Sequence, residues 1–271
     1  MNKVITAPDI KARKGSKPIA MLTAYDYPTA RLVEKSGIDL ILVGDSLAMV
    51  VLGREDTLSL TVDEMLHHVK AVARGCERAL VVADMPFLSY EPDVAEAVRN
   101  AGRMLKEGGA RAVKLESASG VLPQVRAIIA AGIPVMGHVG LTPQRVAELG
   151  GFKVQGREGP AADRIVEEAR ALDQAGCFAI VLEAIPADLA ARITAEVGAP
   201  TIGIGAGPRC DGQVLVYHDV VGLFDRFVPK FVKKYADVSV DLVAALTAYR
   251  EEVEAGTFPD ADHSFGTIPA A

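Results

Sequence analysis

Four short apolar runs in this 271-residue chain each end in a carboxylate. Residues 39–43 lead through Gly44 to Asp45, 79–83 to Asp84, 112–115 to Glu116 and 179–182 to Glu183. One acid after a strand is most simply a turn residue or a helix cap; four in the same place point to a site. Ionised carboxylates brought together raise one another's pKa unless a cation intervenes. Lys114, two residues before Glu116, can offset one of them, and a hard divalent ion can offset two or three. The donors are all oxygens, without a His pair or a Cys cluster, so the ion expected is Mg²⁺. Asp45 and Asp84 are the expected direct ligands, with Glu116 direct or through water. A 2-oxo acid can then displace two waters, and the metal would acidify the carbon next to the ketone. That chemistry needs a base, and Glu183, outside the ligand set, is the candidate proton acceptor. Ser46 is placed to hydrogen-bond a substrate carboxylate, and His138 to meet a ligand or a passing proton.

Something must hold these strand ends together. Apolar strands alternate with amphipathic helices about eight times over roughly 250 residues, the count of a (β/α)₈ barrel. A doubly wound parallel sheet alternates in the same way with about six strands; length and the eight units favour the barrel. Thr61 and Glu64 form a capping box ahead of apolar positions at helical spacing through Ala73. The eighth strand is expected in residues 214–223, broken by His218 and Asp219, and a terminal helix in 234–255. In a barrel the chemistry sits where the strands end. Because side chains alternate along a strand, Lys114 and Glu116 share a face, Asp84 goes with Val82, Glu183 with Val181, and Asp45 with Val43 and Ile41. No linker splits the chain, so a single domain through 1–271 is expected, with a short helical extension at residues 4–14.

The surrounding composition is plain. Half the residues are apolar, the formal net charge is −6, and there is no long basic run, which argues against nucleic acid or an anionic membrane as partner. No apolar run approaches the ~18 residues of a membrane span, and residues 1–17 lack the apolar core of a secretory signal. Cys76, Cys177 and Cys210 lie far apart and read as reduced thiols of a cytoplasmic protein. His67 and His68 fall inside a helix and read as packing or surface residues. The glycines of 203–207 miss the dinucleotide fingerprint and read as a tight turn. The glycine-containing stretch 150–159 is the candidate lid, with Lys153 and Arg157 as groups that could meet an anionic substrate tail.

Taken in order, Val43-Gly44-Asp45-Ser46, Ala83-Asp84-Met85-Pro86-Phe87, Val113-Lys114-Leu115-Glu116, Gly137-His138-Val139-Gly140-Leu141-Thr142-Pro143 and Lys153-Val154-Gln155-Gly156-Arg157 resemble the ketopantoate hydroxymethyltransferase family. So do Gly203-Ile204-Gly205-Ala206-Gly207, Cys210-Asp211-Gly212-Gln213 and His263-Ser264-Phe265. The resemblance runs from about Thr23 to Phe265. It implies an α/β fold, a TIM barrel of the phosphoenolpyruvate/pyruvate type, and Mg²⁺-dependent transfer of a hydroxymethyl group. The donor would be 5,10-methylenetetrahydrofolate, the acceptor 3-methyl-2-oxobutanoate and the product 2-dehydropantoate, on the route to pantothenate. It also implies Asp45, Asp84 and Glu116 as metal ligands, Ser46 and Lys114 on the oxo acid, Glu183 as proton acceptor, and a cytoplasmic homo-oligomer, commonly a decamer. Two other readings of the same residues are a Mg²⁺-dependent C–C lyase or mutase acting on 2-oxo acids, and a barrel that binds a small acid without catalysis. The first would be expected to carry a Lys-Lys-Cys-Gly-His-like loop, which this chain lacks; the second has no use for a base facing a metal.

Overall fold

The computed structural model describes residues 3–116 and 120–266. Eight parallel strands close into a barrel in sequence order: β1 (Ile19–Thr23), β2 (Leu40–Val43), β3 (Leu80–Asp84), β4 (Ala112–Glu116), β5 (Val135–Gly140), β6 (Ala179–Glu183), β7 (Thr201–Ile204) and β8 (Gly212–Leu215). Strands β2, β3 and β4 are buried along their whole length, as expected of a parallel sheet covered on both faces. The helices in chain order are α1 (Ala7–Lys11), α2 (Tyr27–Lys35), α3 (Leu47–Val50), α4 (Val62–Gly75), α5 (Val94–Lys106), α6 (Leu122–Ala130), α7 (Val146–Leu149), α8 (Gly159–Ala175), α9 (Ala187–Glu196), α10 (Tyr217–Val221) and α11 (Val238–Ala255). The capping box before α4 forms as expected: Thr61 Oγ1 accepts from Glu64 N, and the Glu64 carboxylate accepts from Thr61 N.

Alternation along the strands divides the core in two. Leu40, Leu42, Leu80, Val82, Ala112, Met136, Val181 and Ile202 fill the barrel interior. Ile41, Val43, Val81, Val113, Leu115, Ile180 and Leu182 face outward, among the residues of the helices. The interior cluster also takes in Ile5, Ala7 and Ile10, so α1 closes the barrel at the end where the strands begin. Polar contacts fasten it there. Lys14 Nζ reaches Asp211 Oδ2 at 2.9 Å, Gly15 N donates to Asp211 Oδ1 at 2.9 Å, and Ile5 N donates to Arg78 O at 2.8 Å.

At the same end the buried carboxylate of Asp39 is gripped by Arg13 and by Arg78 Nη1 at 3.0 Å. Burial pushes this carboxyl up, but the two guanidinium groups outweigh it and hold the pKa below the usual carboxylate range. A pKa lowered by folding contributes stability above the unfolded value near 4 and loses it as the pH falls through the folded value. Asp39→Asn is therefore expected to cost roughly 3 kcal/mol at pH 7, the low end for a broken buried pair because both arginines keep some solvent. The gap to the unsubstituted chain should close as the pH is lowered below about 4. Thermal unfolding between pH 3 and pH 7 checks this, and a gap independent of pH would refute it.

Two strand expectations change. The eighth strand is the four-residue β8, beginning at Gly212 rather than within 214–223; the apolar residues after it turn into α10 instead. Gly212 explains the early start, since β8 must lie beside both β1 and β7 and a Cβ at 212 would fall 2.5 Å from Ile19 O. The parity expected for Asp45 also fails. Ile41 and Val43 face the helices, and a continued strand would carry Asp45 outward with them. The strand stops at Val43, and a turn through Gly44 and Asp45 redirects the carboxylate.

The chain forms two compact units, 1–217 and 218–271, and all eight barrel strands lie in the first. The second contains the 18-residue α11, none of whose side chains is buried. Val243, Leu246 and Tyr249 are 63%, 67% and 57% exposed. After α11, Asp260 organises the tail, accepting from His263 N at 3.0 Å and, through its carbonyl, from Ser264 Oγ at 2.6 Å. Cys76, Cys177 and Cys210 are free thiols. Among the described residues no helix is long and apolar enough to cross a membrane.

Candidate active site

The four acids meet where the strands end. Asp84, the last residue of β3, lies in register with Lys114 on β4, and Lys114 Nζ donates to its two carboxylate oxygens at 2.7 and 2.8 Å. Both side chains are almost wholly buried. Glu116 ends β4 in register with His138 on β5; its Oε2 accepts from Gln144 N at 3.1 Å, and its buried Oε1 has no hydrogen-bond partner among the described residues. His138 Nδ1 is 3.7 Å from that oxygen, and His138 Nε2 is 3.2 Å from Glu183 Oε2. His138 is thus the neutral ring between the acid cluster and Glu183: burial, then the nearby Lys114 charge, lowers its pKa despite the pull of Glu183.

Asp45 joins the group from its turn. Its backbone N lies 3.4 Å from Asp84 Oδ2, and its carboxylate accepts from Gln144 Nε2 at 2.9 Å. Gly44 allows the turn: a Cβ there would come within 2.9 Å of Ser46 Oγ. Ser46 caps the short α3, and its hydroxyl shares a 2.8 Å hydrogen bond with Tyr25 OH.

The electrostatics describe a shortage of positive charge. Burial, and then the neighbouring Asp45, push Asp84 up to about 7 although Lys114 pulls the other way. Burial and Asp45 also raise Glu116 well above the usual carboxylate range. Burial works against the charge on Lys114, but Asp84, Asp45 and Glu116 together raise its pKa, so it stays an ammonium. Fully ionised, three carboxylates around one ammonium would leave the cluster two positive charges short of neutral. The all-oxygen donor set and the unpartnered Glu116 Oε1 fit a hard divalent cation. Among the described residues no three His, Cys, Asp or Glu side chains converge at metal-binding distance. Mg²⁺ needs fewer, since it commonly takes one or two carboxylates and completes its shell with water.

Glu183 stands apart. It ends β6, and its side chain keeps 18% of its exposure while those of Asp84, Lys114, Glu116 and His138 keep 5% or less. Its backbone is fixed closely. Gly140, in register with it on β5, has φ +98°, and a Cβ there would fall 2.3 Å from Glu183 O. That carbonyl accepts from Leu141 N at 2.9 Å. Ala184, next in the chain, takes φ +46°, a conformation that costs a non-glycine residue of order 1 kcal/mol. The candidate lid is tied to the same place, because Gln155 N donates to Ala184 O at 2.9 Å. Lys153 and Arg157 on that segment are exposed. A cleft of about 300 Å³, lined in part by Phe87, Tyr90, Glu116, Gln144 and Arg145, opens beside the cluster.

Gln144 and Tyr90 were not anticipated. Neither belongs to a residue class that catalyses by titration in this setting, and their partners come from distant segments. The one local signal was Pro143, which starts the 3₁₀ turn Pro143–Arg145 and so sets Gln144 over the strand ends. His67 and His68 take the surface and packing roles expected of them: His67 is exposed, and the half-buried His68 has Nδ1 2.7 Å from Tyr25 O.

A family profile described as ketopantoate hydroxymethyltransferase matches residues 4–261. The chain belongs to the ketopantoate hydroxymethyltransferase family. It is 62% identical over 264 residues to a 3-methyl-2-oxobutanoate hydroxymethyltransferase of Oleidesulfovibrio alaskensis, covering 97% of this chain and 91% of the relative. It is 61% identical to one of Moorella thermoacetica, covering 96% and 97%. Membership makes it an enzyme of the one-carbon transferase class, which removes the non-catalytic reading. Solved structures share the barrel at much lower identity. A phosphoenolpyruvate phosphomutase from Streptomyces platensis superposes with TM-score 0.63 at 16% identity, covering 97% of this chain and 92% of that one. A 2,3-dimethylmalate lyase of the PEP mutase/isocitrate lyase superfamily superposes with 0.62 at 16%, covering 96% and 92%. The family thus sits on the TIM-barrel scaffold those enzymes use.

Proposed function

We infer that this chain transfers the one-carbon unit of 5,10-methylenetetrahydrofolate to 3-methyl-2-oxobutanoate, giving 2-dehydropantoate in pantothenate biosynthesis, and that it requires Mg²⁺. The observation that carries this is the pairing of a buried, cation-deficient carboxylate cluster with a separate, partly open carboxylate, Glu183, joined through neutral His138. Asp45 and Asp84 would hold the ion, with Glu116 direct or through water. When bound, Mg²⁺ supplies Lewis acidity that makes the carbon beside the ketone easier to deprotonate. Lys114 and Ser46 anchor the oxo acid, beside Asp45 and Asp84, by charge and by hydrogen bonding. Glu183 takes the proton from C3, and the C3 electron pair forms the new bond to the donor's one-carbon unit. Water supplies the hydroxyl oxygen as both C–N bonds of the one-carbon unit break, and tetrahydrofolate leaves with the C3 proton, passed on by Glu183, and one water proton on its two nitrogens. His138, 3.2 Å from Glu183, lies where it can hydrogen-bond the protonated acid or the oxo acid. The segment 150–158 shields the deprotonated carbon from bulk water.

Purified protein should convert 3-methyl-2-oxobutanoate in preference to a panel of other 2-oxo acids, only with the folate donor present, and should lose activity in EDTA and regain it with Mg²⁺. Turnover without the donor, or cleavage of an oxo acid in its absence, would sink the reading. The exposed apolar side chains of α11 favour a homo-oligomer, in line with the decamer that the resemblance implies along with a place in the cytoplasm; a patch of that kind is commonly covered by another protein surface. Sedimentation of the same preparation as a 28.6 kDa monomer would count against that part.

A further inference from the structure

Gln144 is 2% exposed at the centre of the acid cluster and spends all of its polar groups there. Its Nε2 donates to Asp45 Oδ2 and to Met85 O, each at 2.9 Å. Its backbone N–H donates to Glu116 Oε2 at 3.1 Å. Its Oε1 accepts from Tyr90 OH at 2.8 Å, and Tyr90 is itself 1% exposed. An amide turned by half a rotation swaps donor for acceptor, but here each end is committed. Met85 O and the Asp45 carboxylate can only accept, so they require the NH₂; Tyr90 supplies the hydroxyl proton that the oxygen requires.

Asp45 depends on this arrangement more than the other acids do. Asp84 and Glu116 are strand residues whose backbone is fixed by ladder register. Asp45 lies beyond the end of β2, in a turn. Among the described residues, Gln144 provides the only side-chain hydrogen bond to its carboxylate. One residue therefore ties the carboxylate of a turn to that of a strand, from a third segment of the barrel.

We propose that Gln144, keyed in orientation by Tyr90, is a positioning residue that sets the spacing between the Asp45 and Glu116 carboxylates. The proposal rests on the reading of those acids as the cation-holding group. A partner that orients a metal-facing carboxylate typically changes metal affinity or activity 10–100-fold when removed. Gln144→Met keeps the length of the side chain and deletes both donors and the acceptor. Tyr90→Phe deletes only the hydroxyl, so the amide oxygen loses its donor while Met85 O and Asp45 still hold the NH₂.

The test uses both variants and the double variant as full chains, with calorimetric titration of Mg²⁺, the kcat and KM of transfer, and crystal structures. Gln144→Met should lose roughly 10–100-fold in Mg²⁺ affinity and Tyr90→Phe about 10-fold. The double variant should lose no more than Gln144→Met alone, because Tyr90 acts through Gln144. A structure of Tyr90→Phe should show the amide shifted without turning over, and the Asp45 carboxylate displaced with it. Tyr90→Phe that keeps its fold and unfolding temperature yet loses affinity separates positioning from simple packing. Additive losses, or an Asp45 carboxylate unmoved in both variant structures, would overturn the proposal. Should the unsubstituted chain neither bind Mg²⁺ nor transfer the one-carbon unit, the functional reading fails, and the variant structures still decide whether Gln144 sets Asp45.

Discussion

Glu183→Gln is expected to abolish exchange of the C3 hydrogen of 3-methyl-2-oxobutanoate with deuterated water, while Mg²⁺ and oxo-acid affinity stay within about threefold. The variant keeps the shape of the side chain and removes its capacity to accept a proton. General bases contribute roughly 10²–10⁴ in rate, so transfer and exchange should fall together by about that factor. The separation follows from the geometry. His138 lies between Glu183 and Glu116, its Nε2 3.2 Å from Glu183, and no strand register pairs Glu183 with Asp84 or Glu116. Exchange followed by NMR, together with calorimetric binding, checks both halves. Undiminished exchange would remove Glu183 as the base, and a large loss of Mg²⁺ affinity would move it into the group that holds the ion.

Asp84→Ala should cost at least about 100-fold in Mg²⁺ affinity, above the 10–100-fold typical of merely orienting partners, and activity should fall with it. The same substitution strips Lys114 of the two oxygens it now holds at 2.7 and 2.8 Å. Removing one partner of a buried ion pair usually costs 3–5 kcal/mol. Here the loss should be smaller, because Asp45 and Glu116 also favour the Lys114 charge and because the variant relieves crowding among three acids. Titration calorimetry and urea unfolding measure the two effects separately. An Mg²⁺ affinity equal to that of the unsubstituted chain would remove Asp84 from the ion site.

How far such a site can be read from residues alone depends on what fixes each one. Lys114 and Glu116 were legible because strand alternation is a local rule, and β4, buried on both faces, obeys it. Asp84 and Glu183 follow for the same reason. Asp45 was found by its type and its place after an apolar run, but the alternation argument put it on the wrong face. A turn at Gly44, rather than strand parity, brings it inward. The barrel itself was legible from eight alternations, whereas β8 was misplaced because its position is set by Gly212 fitting against β1. Gln144 and Tyr90 show the remaining gap. Their partners are 28, 54, 59 and 99 positions away in sequence, and no spacing rule reaches across such intervals.

The short helix under the barrel bears on the order in which molecules can enter. With Ile5, Ala7 and Ile10 packed beneath the side chains that fill the interior, the floor of the site is solid and its mouth lies at the carboxylates. On the proposed function, two substrates and two products would share that mouth. If the oxo acid lies at the bottom against Lys114 and the larger folate closes over it, traffic becomes last in, first out: the oxo acid arrives before the donor, and tetrahydrofolate departs before the new hydroxy acid. Compulsory order would then be a property of the plumbing, set by a filled barrel with a single mouth.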